Sequence, residues 1–195
     1  KTYAKGAVIL HMLRSVTGDE IFFRILKEYS LSERFEYGNA GVEDFRAIAE
    51  TIYGKSLEYF FNQWIYGVGY PKYTFSWDAE EISNNHYNFE ILIEQEENFS
   101  PSFFIMPIQI KIEHDKGDSL ITLFNDLKKQ SFALTLPFRP NSVKFDPDNL
   151  ILCAKKETTQ IIKNKTIVKT YSLGQNYPNP FNPATTIEIK VPSAG

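Results

Sequence analysis

The 195-residue chain is predicted to be α+β: helices first, then an antiparallel β-sandwich, then the opening strand of a further small β unit. Three observations predict it. Apolar residues recur at helical spacing as far as Trp64 and at a period of two from Tyr73 on. Seven or so short alternating runs then follow at about 8–12-residue spacing with turn residues between them, the pattern of a sandwich. Near the end, Pro178, Pro180 and Pro183 precede a last alternating run, Thr186 to Val191. Proline fixes φ and holds the residue before it extended, so Asn176 to Pro183 is expected to be rigid and non-helical, leading into a strand.

The first helix is predicted from Tyr3 to Val16, with Ala7, Val8, Leu10 and Leu13 at helical spacing. Gly18 stops it, and Asp19 is expected to cap the next helix, whose stripe is Phe22, Ile25, Leu26 and Tyr29. A loop, Ser32 to Gly41, leads to a third helix carrying Phe45, Ile48, Ala49 and Ile52 and ending at Gly54. Ser56 is expected to cap a short helix with Leu57, Phe60, Phe61 and Trp64 facing inward, and Gly67, Gly69 and Pro71 close the helical region. The strands come next: Tyr73 to Trp77; the run with Tyr87, Phe89, Ile91 and Ile93 on one face; Ile108, Ile110 and Ile112 on another; Leu120 to Phe124; Ser131 to Leu136; Val143 to Phe145; and Leu150 to Ala154. Asp115-Lys116-Gly117-Asp118 and Asn125-Asp126 read as turns. Glu157 to Thr170, polar and Lys-rich, reads as a linker.

Composition removes several classes of function. The 21 basic and 24 acidic residues are interspersed and sum to −3, so no basic field is present to hold nucleic acid or an anionic membrane. No apolar run approaches the ~20 residues that span a bilayer as a helix. Cys153 is the one cysteine, which rules out an intrachain disulfide and reads as core. His-Glu-x-x-His, a Gly-rich phosphate loop and a nucleophile elbow are all missing from the 195 residues. His11, His86 and His114 are scattered, so a joint metal site would need three separate elements to converge; His11 reads as a core or second-layer residue, and His86 and His114 as solvated strand ends. Glu94, Glu96 and Glu97 read as a charged strand end that discourages edge pairing rather than as paired catalytic carboxylates.

The first helix carries a more specific pattern. Tyr3-Ala4-Lys5-Gly6-Ala7 resembles the Tyr-x-Lys-Gly-Ala helix of the alanyl-aminopeptidase family of zinc peptidases, the gluzincins. The resemblance continues in order through Gly18-Asp19-Glu20 with Phe22-Phe23, through Asn39-Ala40, Glu43-Asp44-Phe45 and Glu50, and through Gly54, Leu57, Phe60-Phe61, Gln63-Trp64 and Gly69-Tyr70-Pro71. Val143-Lys144-Phe145-Asp146-Pro147-Asp148 is similar to the strand and turn that close the family's immunoglobulin-like sandwich. One departure is Val42, where the family often places Thr or Ser as a helix cap; losing that cap would cost ~1 kcal/mol unless a neighbour replaces it.

The resemblance implies a division of the chain. Residues 1–71 would be the helical end of a thermolysin-like catalytic domain, 72–156 the sandwich and 157–171 a linker. It also implies a mechanism. The family's zinc, held by two His and a Glu, activates water, and a Tyr hydroxyl donates to the oxyanion of the tetrahedral intermediate. Tyr3 matches that tyrosine by its place before Lys-Gly-Ala; Lys5 and Gly6 are given no chemistry, Gly6 being read as a site of close helix packing. Zinc ligands and general base would lie upstream of Lys1, so the chain alone is expected to bind no catalytic zinc and to cleave nothing. Residues 172–195, including SLGQNYPNPFNPATTIEIKV, resemble the opening of the C-terminal sorting domain of type IX secretion in Gram-negative bacteria. Together these imply the C-terminal part of an exported zinc aminopeptidase acting on the N-termini of peptides, with the secretion machinery as partner and a secreted or cell-surface location. A peptidase fold with degenerate zinc ligands, serving as a surface binding or adhesion module, is the alternative; a structural stalk made of the sandwich and tail alone is a third reading.

Overall fold

The computed structural model describes residues 2–32, 38–158, 172–173 and 189–190. It divides into two units, Lys1–Ile161 and Ile162–Gly195. The mixed α+β expectation holds. Four helices, α1 (Thr2–Thr17), α2 (Asp19–Ser30), α3 (Val42–Tyr53) and α4 (Glu58–Phe61), precede the strands, and α4 runs straight into one π-helical turn, Asn62–Tyr66.

The helix ends show where side chains take up the orphan backbone groups. Gly18, at φ 81, ends α1 as expected. Asp19 does not cap α2: its carboxylate is drawn back to the Arg14 guanidinium at 2.8 and 2.6 Å, and Gly18 occupies the cap position. The pairing holds the Asp19 carboxyl below its ordinary pKa, first through the Arg14 hydrogen bond. The missing cap at Val42 is compensated. Gly41 becomes the cap residue of α3, and the Asp44 carboxylate, one turn in, accepts the Gly41 N–H at 2.9 Å. At α4 the Ser56 hydroxyl accepts the Glu58 N–H at 3.2 Å, as expected, while Glu50 of α3 accepts the Leu57 N–H at 2.7 Å.

Seven strands follow: β1 (Lys72–Ser83), β2 (His86–Gln95), β3 (Met106–His114), β4 (Gly117–Asn125), β5 (Lys129–Leu136), β6 (Ser142–Phe145) and β7 (Ala154–Glu157). They form two sheets, ordered β5-β2-β1-β7 and β4-β3-β6. Phe145 of one sheet packs on Tyr73 and Phe75 of the other at ring-centre distances of 5.0 and 5.2 Å, so the sheets meet face to face. Phe89, Ile91, Ile93, Ile108, Ile110 and Ile112 are all fully buried between them. Each contributes roughly 1.5–3 kcal/mol of apolar burial.

Two strand expectations need correction. The sandwich is not wholly antiparallel, because β7 pairs with β1 in parallel, Lys72 opposite Ala154. The last strand also lies at Ala154–Glu157, beyond the predicted Leu150 to Ala154. Asp146, at φ 45, turns the chain, and its buried carboxylate accepts the N–H groups of Leu150 (2.8 Å) and Ile151 (3.3 Å). Those donors are spent on a side chain, so the apolar run forms a turn that drops Ile151 into the core. Glu94, Glu96 and Glu97 are not edge guards either. β2 is an interior strand, and the three carboxylates pair with Lys129, Lys72 and Lys128.

In the second unit, β8 (Ser172–Leu173) pairs antiparallel with β9 (Ile189–Lys190). The alternating run expected at 186–191 thus carries a strand at its described positions. The linker beyond Thr158 and the proline segment lie outside the described residues.

Candidate functional site

Tyr3 stands in the first turn of α1 and is 95% exposed. The opposite face of the helix is anchored: Ile9, Met12 and Leu13 are buried. Packing therefore fixes where the tyrosine's helix lies, and the Tyr3 side chain projects clear of the other described residues. A Cβ added at Gly6 would meet no heavy atom within 4 Å, so close packing within the described residues does not require that glycine.

The anchor of α1 is shared with the sandwich. A groove of about 470 Å³ runs beside its first two turns, with Lys5, Val8 and Met12 on one wall and Trp64, Gly69 and Leu152 on the other. Met12 accepts the Leu152 N–H on its sulfur at 3.4 Å, tying the middle of α1 to the turn before β7. Trp64 packs on Phe104 at a ring-centre distance of 4.7 Å, the rings tilted by 40°, and donates its indole N–H to Met106 Sδ at 3.3 Å. The corner after the π-turn is also pinned: Asn98 Nδ2 donates to the Val68 carbonyl at 2.7 Å, and Val68 N–H to Ser100 O at 2.7 Å.

Two glutamines clasp consecutive residues of the segment entering β3. Gln95, on the sandwich side, accepts the Phe104 N–H and donates to the Phe104 carbonyl, both at 2.8 Å. Gln63, in the π-turn, does the same to Ile105, at 2.8 and 2.7 Å. Each side-chain amide imitates one rung of a β-ladder, one toward the sandwich and one toward the helices. Both glutamines are buried. Neither was picked out from sequence as a site residue; the available signal was an amide at an inward position of an apolar pattern.

The remaining titratable candidates do not assemble. His11 is exposed, not in the core, because α1 turns Ile9, Met12 and Leu13 inward and leaves His11 off that buried stripe. His86 is exposed, whereas His114 is half-buried, stacked on Phe138 at 3.8 Å and accepting the Lys116 N–H on Nδ1 at 3.3 Å. Cys153 is half-buried, and loss of hydration pushes its thiol pKa up to about 11. Tyr66 donates to Glu43 at 2.6 Å, and that hydrogen bond raises its pKa. Among the described residues, no group of three or more His, Cys, Asp or Glu side chains is placed to hold a metal ion, and no helix is long and apolar enough to cross a membrane.

The helical layer followed by a two-sheet sandwich resembles in fold part of a solved aminopeptidase. Aminopeptidase A of Legionella pneumophila in complex with aspartic acid superposes with a TM-score of 0.60 over 78% of this chain and 17% of that one, at 19% identity, a likeness of fold alone. The sequence likeness lies in the helices. Residues 1–64 match the peptidase family M1 domain. Aminopeptidase N of Lactococcus lactis is 40% identical over 70 residues, covering 35% of this chain and 8% of that protein. Leucyl aminopeptidase of Saccharolobus solfataricus is 30% identical over 91 residues, covering 47% and 11%. The chain thus spans only 8% to 11% of the length of these curated relatives. The helical third is aminopeptidase-like in sequence, and the described fold agrees with it.

Proposed function

We propose that this chain is the C-terminal part of an exported aminopeptidase that hydrolyses N-terminal residues from peptides, with Tyr3 as the donor to the oxyanion. One observation carries the reading: Tyr3 sits, exposed, on the first turn of a helix whose other face is buried, inside the stretch that matches the M1 peptidase domain. A phenol held on an anchored helix offers one O–H to a developing negative charge. A donor placed there lowers the barrier by ~3–4 kcal/mol. Zinc is the metal proposed for the parent enzyme. The described residues do not fit it, so its ligands and the general base are assigned to the part of the protein upstream of Lys1, and the chain by itself is proposed to be inactive.

The four- and three-stranded sheets support the immunoglobulin-like reading of the sandwich. The paired β8 and β9 are compatible with the start of a β-rich sorting domain, and export through the type IX machinery to the medium or cell surface is proposed from the sequence of that tail. Cell fractionation of the full-length protein tests it, since a protein confined to the cytoplasm would refute export.

The chemical test is Tyr3→Phe in the full-length protein. A fall in kcat of about 10²-fold or more is expected, with metal content and melting temperature unchanged. Near-normal turnover would refute the role of Tyr3. A wild-type protein with no bound metal and no peptidase activity would instead support the binding-module reading.

A further inference from the structure

We infer that Gln63 is a positioning residue for Tyr3. The inference rests on the role given to Tyr3 above. Gln63 is buried in the π-turn, and its amide is engaged at both ends by the backbone of Ile105, 42 residues away in sequence. It holds the helical layer to the strand-entry segment at this point by two directed hydrogen bonds; the flanking Phe104 and Met106 meet Trp64 through a tilted ring contact and an N–H···S contact.

The clasp reaches the helix of Tyr3 through the core: Gln63 and Trp64 are consecutive, and Trp64 belongs to the same buried cluster as Ile9, Met12 and Leu13 of α1. Met12, farther along α1, is held by Leu152 of the sandwich. The helix bearing Tyr3 is therefore located by Leu152 of the sandwich and by the core that contains Trp64, and the place of Trp64 against Phe104 and Met106 depends on the Gln63–Ile105 pair. A side-chain amide with two directed hydrogen bonds fixes sliding along the strand, which apolar packing alone leaves soft. Gln63 and Trp64 both lie in the π-helical turn at 62–66, and both are buried. A displacement near 1 Å at a reacting group costs turnover steeply, on the order of 10²-fold in the worst cases.

The experiment uses the full-length enzyme and four backgrounds: wild type, Gln63→Met, Tyr3→Phe and the double variant, with Ile108→Val as a stability control buried in the sandwich. Gln63→Met keeps the length of the side chain and removes both hydrogen bonds; Gln63→Glu, which keeps the acceptor for the Ile105 N–H, serves if the methionine variant fails to fold. The expected result is a kcat loss of about tenfold in Gln63→Met with KM within about twofold. In the Tyr3→Phe background the same substitution should cost less than about twofold, because a misplaced hydroxyl and a missing one are equivalent. Ile108→Val, at a similar fall in melting temperature, should leave kcat unchanged. An equal loss from Gln63→Met in both backgrounds, or an equal loss from Ile108→Val, would overturn the positioning role while leaving Tyr3 in place. A Tyr3→Phe variant with normal kcat would overturn the reading of Tyr3, and the inference with it.

Discussion

Replacing Gln95 by Met should cost the sandwich more than any surface change of the same size. Gln95 is 4% exposed and its amide serves three partners. It accepts the Phe104 N–H at 2.8 Å, and it donates to the Phe104 carbonyl at 2.8 Å and to Asn125 Oδ1 at 2.7 Å. Asn125, fully buried, passes the chain on to the Leu127 carbonyl at 3.0 Å and to Gln130 at 2.8 Å. Methionine fills nearly the same volume, so the cavity contribution is small. What remains is three polar groups stripped of partners, at roughly 1–2 kcal/mol apiece and about 3–6 kcal/mol together. Urea unfolding followed by tryptophan fluorescence reads this as a lower midpoint at unchanged m-value. Glu96→Gln, which removes only the exposed pair with Lys72, is the control and should move the midpoint by less than about 0.5 kcal/mol. A second step sharpens the test. Asn125→Leu added to Gln95→Met should cost less than the sum of the two single changes, since the Gln95–Asn125 hydrogen bond can be lost only once. A Gln95→Met cost below about 1 kcal/mol would refute the reasoning, because it would mean that water or a shifted backbone satisfies all three groups.

Two further outcomes follow from local geometry. Gly69 stands at φ 84, and a Cβ there would come within 2.5 Å of Asn98 Oδ1, so Gly69→Ala should destabilise the protein by about 1–3 kcal/mol; an unchanged melting temperature would refute the strain. Cys153 should label slowly with iodoacetamide near neutral pH and keep accelerating toward pH 11, since burial raises its thiol pKa to about 11. A folded pKa above the unfolded value near 8.5 stabilises the fold fully below that value, and this contribution is lost as pH rises from there through about 11. A labelling rate that levels off near pH 9 would contradict it.

Much of the architecture was legible because one face of each element had to be apolar. The alternation of Tyr87, Phe89, Ile91 and Ile93 predicted a half-buried strand, and all four are buried. Phe60, Phe61 and Trp64 were read as core and are core. What stayed illegible were places where a side chain competes with the backbone. Asp146 consumed the donors of Leu150 and Ile151 and moved the last strand along the chain. Arg14 withdrew Asp19 from its cap. The parallel pairing of β7 with β1 depends on a chain reversal at Asp146, and alternation carries no direction. At the candidate site, the wording around Tyr3 was readable, but the Gln63 clasp was not, because its partner Ile105 is 42 residues away.

The same contrast explains why the two kinds of likeness stop at different places. The match to the M1 peptidase domain ends at residue 64, while the fold likeness covers 78% of the chain at 19% identity. A sandwich core asks for apolar residues at alternate positions and little else, so many unrelated sequences satisfy it. In the proposed reading the helices must also hold Tyr3 at a set place, and that demands particular residues: an anchored inner face and a directed contact to whatever lies behind. Gln63 and Trp64 are where those demands meet. They end the matched stretch, and they are the residues through which the helical layer grips Phe104, Ile105 and Met106. On this argument the sandwich is a brace, tolerant in its own sequence and strict only along the seam it shares with the tyrosine's helix.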